Sequence, residues 1–370
     1  MPAGWNQTSG TFREGPISED TFWMLFNYVF SDSSAKRTTY KFGLIKSILD
    51  NLFNSEGEDY SLFISYENLF GKFAENYWNL VTKYHLRQMV PDGKSEYSKI
   101  EQIFMALIQE EPTFSDIPFT LIPENKRNSI IKQVSSDCRR NVIGALHRDF
   151  QDCLYAFDLK GDGIYLNAYA FNFMLKYKVE IEKLNYYAWA KFLEKINDES
   201  VVVKLLDKLE LATPQRDDLS VFRQVLYKEF EQCNCFYCGK KLHEIHVDHF
   251  IPWSFIKEDK LWNFVLACPS CNIRKSNKIP GLDYVKIIQN RNDDLRKLDS
   301  AFVQKQFKTY KPNLIVSASL QLFRSKARVQ KHNADNLPDS NCGFLQFQSM
   351  SESSSCFRRL SCFRRITNFS

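Results

Sequence analysis

No stretch of this chain stays apolar long enough to span a bilayer. The opening residues, Met1 to Pro16, are polar and lack the apolar core of a secretory signal. A disulfide framework is also missing. Of the ten cysteines, four stand in two close pairs, and Cys138, Cys153, Cys233, Cys342, Cys356 and Cys362 are scattered without pattern. These absences exclude a membrane-spanning or disulfide-stapled secreted protein, and a cytoplasmic protein is expected. Strong charge of one sign is lacking too: the net charge of +5 permits an anionic partner without demanding one. Basic residues do cluster from Arg274 to Lys311, a run that also reads as a solvated helix face.

What is present is core material. Apolar residues make up 44% of the chain and charged residues 25%, as in soluble globular proteins. Aromatics reach 15%, with 31 Phe and 17 Tyr, which favours large cores. At 370 residues there is length for two or three domains. Helical spacing predicts helices over Asp20 to Phe30, Thr38 to Phe53 and Tyr66 to Leu80, then around Ile100 to Leu107. Lys126 to Phe150 is expected to be helical with a break. The period changes at Leu154 to Phe157 and Ile164 to Leu166, which flank Lys160-Gly161-Asp162-Gly163 and predict a β-hairpin. Asp158 and Asp162 also mimic the start of a calcium loop. Lys160 at its third position and Tyr169 where a bidentate Glu belongs exclude that reading. Helices resume from Ala168 to Leu211, Thr213-Pro214 is the candidate boundary, and Asp217 to Phe230 is expected to form one helix. A further helix is expected over Asn313 to Arg328.

The chemistry is concentrated between Cys235 and Pro280. Cys235 and Cys238 form one Cys-x-x-Cys pair, Cys268 and Cys271 the other. Four thiolates in two such pairs close a tetrahedral site with no open position, so the zinc they predict is structural. Cys233 is wrongly spaced for a knuckle, and His243 and His246 are not needed as ligands. Between the pairs lies Asp248-His249, and Asn272 follows the last cysteine. None of these three is needed to hold zinc. They supply a base and two hard oxygen donors, which suit Mg²⁺ or Mn²⁺ and metal-assisted hydrolysis. Ile245 to Ile251 and Asn263 to Ala267 read as strands, and Pro269 to Ser276 as the start of a helix. In that frame Asp248 and Asn272 can reach one cation. Because Asp248 and His249 are adjacent, a regular strand would send them to opposite faces.

The string from Asp248 to Asp259 and the string from Asn272 to Pro280 resemble the HNH endonuclease family, in particular the HNH domain of RNA-guided CRISPR nucleases. The four-Cys zinc version is similar to that of stand-alone bacterial nucleases. The resemblance implies a ββα-metal finger. In it His249 is the general base, Asp248 and Asn272 hold the catalytic metal, and Asn263 braces the loop that carries His249. Asn272 stands where the family name has its second His, a variation the family tolerates. Arg274 and Lys275, at the helix start, are candidate phosphate contacts. Arg37 to Lys41 and Leu184 to Glu194 resemble helical segments that precede HNH domains in bacterial restriction and phage-defence proteins.

The architecture expected is mainly α. A flexible N-terminus spans 1–17, and a helical N-terminal domain with a short β-hairpin spans 18–213. Residues 214–334 form a zinc-stapled HNH module with trailing C-terminal helices. A Ser-, Asn- and Gln-rich disordered tail spans 335–370, in which Ser355 to Leu360 repeats as Ser361 to Ile366. The expected function is metal-dependent hydrolysis of DNA in bacterial restriction or anti-phage defence. RNA is a second substrate class that the motif allows, and the helical domain is a candidate surface for a partner protein or a second copy. The competing reading is a non-catalytic zinc module that binds nucleic acid or protein. Asp248, His249 and Asn272 separate the two, since a binding module needs none of them.

Overall fold

The computed structural model describes residues 5–55, 62–211, 219–276 and 278–320. The repeated C-terminal segment and the Thr213-Pro214 boundary lie outside these residues. The described chain is mainly helical. After a two-residue strand β1 (Ser9–Gly10), α1 (Glu19–Phe30) starts where the Ser18 side chain accepts the backbone N–H of Thr21 at 3.2 Å. It buries Phe22, Leu25, Phe26 and Val29, one stripe at helical spacing. α2 (Tyr40–Asp50) is buried on every side, so it is the axis around which the other helices pack. β2 (Leu62–Ser65) runs straight into α3 (Tyr66–Thr82), whose N-terminus is capped by Ser65. α4 (Lys99–Glu110) opens with a capping box made by Ser98 and Glu101. α5 (Glu124–Asp149) follows two 3₁₀ turns.

α5 runs without the expected break, because Ile130, Val134, Cys138 and Val142 keep one buried face four residues apart along it. β3 (Tyr155–Asp158) and β4 (Gly163–Leu166) form the expected hairpin. The hairpin is not alone. β2 pairs with β4 and β1 with β3, giving an antiparallel sheet in the order β1-β3-β4-β2. Ser9 and Gly10, in the stretch expected to be flexible, are thus an edge strand. Gly163 is required by this pairing: a Cβ there would lie 2.2 Å from the Ile64 carbonyl oxygen. α6 (Ala168–Lys176), α7 (Lys178–Ile196), α8 (Glu199–Val202) and α9 (Leu205–Leu211) complete the helical region.

Then come α10 (Ser220–Gln224) and a π-helical turn Val225–Glu229, where one uninterrupted α-helix was expected. β5 (His246–His249), α11 (Trp253–Ile256), β6 (Phe264–Ala267) and α12 (Pro269–Lys275) form a small segment of two paired strands and two short helices. α13 (Asp283–Leu295), α14 (Ala301–Phe307) and a helix over 312–320 trail it. Among the described residues no helix is long and apolar enough to cross a membrane.

Two cores hold these parts. The larger joins the helical region to the segment after β5: Phe255 and Trp262 lie on Phe53, with ring centroids 5.9 and 6.4 Å away. The smaller lies behind β5 and β6, where Phe264 meets Phe222 at 4.7 Å. Charges are buried between them. Lys46 pairs with Asp50 and, at 3.3 Å, with Glu182. Glu182 also receives Lys257 at 2.8 Å, while Glu258 receives Lys72 and Lys260, each at 3.1 Å. Burial alone would raise the Glu258 carboxyl, but the two ammonium groups outweigh it and hold the pKa down at about 2.

A carboxylate depressed from its ordinary 4.5 to about 2 stabilises the fold fully above pH 4.5 and loses that contribution as pH falls toward 2. Glu258→Gln should therefore lower stability at neutral pH by roughly 3–5 kcal/mol, the usual cost of removing one partner from a buried pair. It should also flatten the acid branch of the urea midpoint against pH. A variant with the wild-type acid branch would show that the pairing contributes nothing.

Candidate active site and zinc centre

The zinc centre is built from two tight turns. In the first, the Gly239 N–H donates to the Cys235 carbonyl at 2.8 Å and the Cys235 N–H to the Lys240 carbonyl at 2.8 Å. Gly239 takes φ +70°, a left-handed backbone that glycine adopts without penalty. In the second, Cys268 precedes Pro269 at the start of α12, and Cys271 lies one turn on. The four sulfurs lie within 4.8 Å of one another. Cys238 and Cys268 are 4.0 Å apart, close to the ~3.8 Å edge of a tetrahedron with Zn–S bonds of about 2.3 Å. The set is thus compatible with a structural zinc that leaves no ligand position open. The Ser270 hydroxyl and the Cys271 N–H hold the Cys268 thiol below its ordinary pKa, which favours the thiolate. Cys233 is exposed and outside the cluster.

β5 pairs with β6 in unbroken register, from His246 opposite Ala267 to His249 opposite Phe264. No bulge intervenes, so Asp248 and His249 point to opposite faces and meet different partners. Asp248, almost fully buried, accepts the Tyr237 hydroxyl at 2.5 Å and lies 3.1 Å from the Lys275 ammonium. Tyr237 sits inside the first cysteine turn, so the zinc turn itself presents the phenol to Asp248. Burial, and then the Asp248 charge, push the Tyr237 pKa well up, so the phenol stays a donor. Lys275, at the end of α12, also donates to the His249 carbonyl at 2.6 Å. The backbone of His249 is thereby tied to the helix.

The His249 side chain faces the other way. Its ring rests on Phe264, centroids 4.5 Å apart, and Nε2 donates to Asp259 Oδ1 at 2.7 Å. Asn263, fully buried, clamps the turn just after His249. Its Nδ2 donates to the Ile251 carbonyl at 2.9 Å, its Oδ1 accepts the Ile251 N–H at 2.8 Å, and its own carbonyl accepts from Phe250 at 2.8 Å. Asn272 donates from Nδ2 to His246 Nδ1 at 3.0 Å. His246 lies two residues before Asp248 and shares its face of β5, so Asn272 stands beside that face. With Nδ2 on His246, Oδ1 is the atom Asn272 offers to a cation. Arg274 is exposed, with Nη2 3.5 Å from Cys271 Sγ, and Lys275 is buried beside Asp248. The sequence assigns no role to Tyr237, His246 or Asp259; their contacts across the fold mark them.

A family model for HNH endonucleases matches residues 235–278, from the first zinc-turn cysteine to just past α12. The stretch that carries the four-cysteine cluster is therefore an HNH-type segment, and such segments are in general those of nucleases. No curated protein and no solved structure matches the chain.

Elemental analysis of the purified protein should give one zinc per chain. Cys268→Ala should lose it and unfold the segment around β5 and β6, because much of a small zinc module's folding free energy is metal binding. Folded protein free of zinc would contradict this assignment.

Proposed function

We propose that this protein is a metal-dependent endonuclease that hydrolyses phosphodiester bonds in DNA. The observation that carries the reading is the conjunction of the HNH match with a buried Asp248, a neighbouring His249 and an Asn263 clamp on the turn between them and β6. Asp248 and the Asn272 amide oxygen are hard donors that fit Mg²⁺ or Mn²⁺, and the Lys275 ammonium against Asp248 is a cation already accommodated there. A divalent cation held by these two residues supplies charge stabilisation to the phosphate and to the leaving 3′ oxygen. His249, the last residue of β5, acts from the rim that the two faces share at the strand's end, and takes the proton from the attacking water as the water oxygen bonds to phosphorus and the 3′ oxygen departs. Asn263 keeps the His249 turn from relaxing, and the exposed Arg274 holds a phosphate oxygen beside the break; Lys275, expected as a second phosphate contact, is instead turned inward onto Asp248 and the His249 carbonyl.

The setting we propose is bacterial restriction or anti-phage defence, on the resemblance of Arg37 to Lys41 and Leu184 to Glu194 to segments preceding HNH domains in such proteins. The helical domain, residues 18–213, then acts as the frame on which the nuclease domain, residues 214–334, is mounted. The competing reading, a zinc module that only binds nucleic acid, draws on one observation: Asp248 is already ion-paired with Lys275.

Cleavage of supercoiled plasmid separates the two. His249→Ala should lower the rate ~10²–10⁴-fold with zinc content and DNA binding unchanged. Asp248→Ala and Asn272→Ala should lose activity that excess Mn²⁺ partly restores, and Asn263→Ala should be intermediate. Cleavage by His249→Ala at the wild-type rate would remove His249 from the reaction.

A further inference from the structure

The residues of the loop between α11 and the 3₁₀ turn before β6 grip two different parts of the molecule. Lys257 takes a left-handed backbone, φ +57°, and its N–H closes α11 on the Trp253 carbonyl at 2.7 Å. Its ammonium then reaches Glu182 on α7. Glu258 turns the same way: its carboxylate accepts Asn54 Nδ2 at 2.8 and 2.9 Å and Lys72 on α3 at 3.1 Å. Asp259 turns back toward β5 and accepts His249 Nε2 at 2.7 Å, with 5% of its side chain exposed against 9% for the histidine. The residue after this loop is anchored as well, since the Leu261 N–H donates to Gln306 Oε1 at 3.2 Å.

This arrangement does chemical work on the imidazole. A ring whose Nε2–H is held by a carboxylate keeps that proton and presents the lone pair of Nδ1. Phe264 under the ring leaves it little freedom to rotate. We propose that Asp259 is the positioning residue for His249, and that the contacts of Lys257 and Glu258 with the helical region hold Asp259 in place. The proposal rests on the reading of His249 as the general base. It gives the helical region a role in the chemistry: α3, α7 and Asn54 in the turn after α2 bind the loop that sets the tautomer and direction of the histidine.

The full chain should be compared as wild type, Asp259→Asn, Asp259→Ala, His249→Ala and the His249→Ala/Asp259→Ala double variant, on plasmid with Mg²⁺. Both Asp259 variants should lose about 10²–10⁴-fold in kcat, with KM and zinc content close to wild type and a lowered urea midpoint that still leaves the protein folded in the assay. The double variant should be no slower than His249→Ala, because Asp259 acts only through the ring. Nitrogen chemical shifts of the imidazoles, six in the chain, should show wild-type His249 protonated at Nε2 and a mixture of tautomers in Asp259→Asn. A wild-type kcat in Asp259→Asn beside an inactive His249→Ala would overturn the proposal and leave the nuclease reading standing. So would a wild-type His249 protonated at Nδ1, whatever the variants do. Full activity of His249→Ala would instead remove the nuclease reading itself.

Discussion

A regular strand sends neighbouring side chains to opposite faces, and that constraint organises this site. Asp248 and His249 are consecutive on β5, which stays in register with β6 through both. They cannot share a set of supports. Asp248 is held from the zinc side, by Tyr237 from the first cysteine turn and Lys275 from α12. His249 is held from the other side, by Phe264 beneath the ring and Asp259 at its edge. Asn263 fastens the turn beyond the strand, so the backbone between the two supports cannot slide.

Each support has its own source of rigidity. The segment from Cys235 to Lys275 is too small to bury a self-sufficient core. On one side four thiolates are placed to replace the missing apolar burial with metal bonds. On the other side the segment borrows a core: Phe255 and Trp262 pack on Phe53, and Lys257 and Glu258 enter the buried charges of α2, α3 and α7. Buried ion pairs contribute little net stability compared with apolar packing, but they tolerate few alternative geometries. A loop fixed by Glu258 is therefore fixed in register, which a greasy contact would not guarantee.

The sequence made local features legible and left distant ones hidden. The cysteine pairs, Asp248-His249 and the asparagines stand at spacings that carry chemistry, and the strands and helix around them were readable within a residue or two. Helical stripes in α1, α2 and α3 followed from apolar periodicity. β1 and β2 did not, because each is too short to show a period and exists only by pairing with the hairpin. α5 was expected to break, but its buried face runs on without interruption. Tyr237 and Asp259 were invisible for the same reason as β1: their partners lie 11 and 10 residues away across a fold, and no spacing rule encodes that. The buried charges of α2, α3 and α7 carry no mark in the sequence, because Lys257 and Glu258, which join them, lie far away along the chain.

We propose that the four-cysteine segment works as a hydrolase. The most direct measurement is end-group analysis of nucleic acid incubated with the zinc-loaded protein, with Mg²⁺ and with Mg²⁺ chelated. Hydrolysis by this site predicts broken DNA strands carrying 5′-phosphate and 3′-hydroxyl ends, formed only when Mg²⁺ is free. Intact DNA and RNA in both arms, with zinc in place and the protein folded, would contradict it.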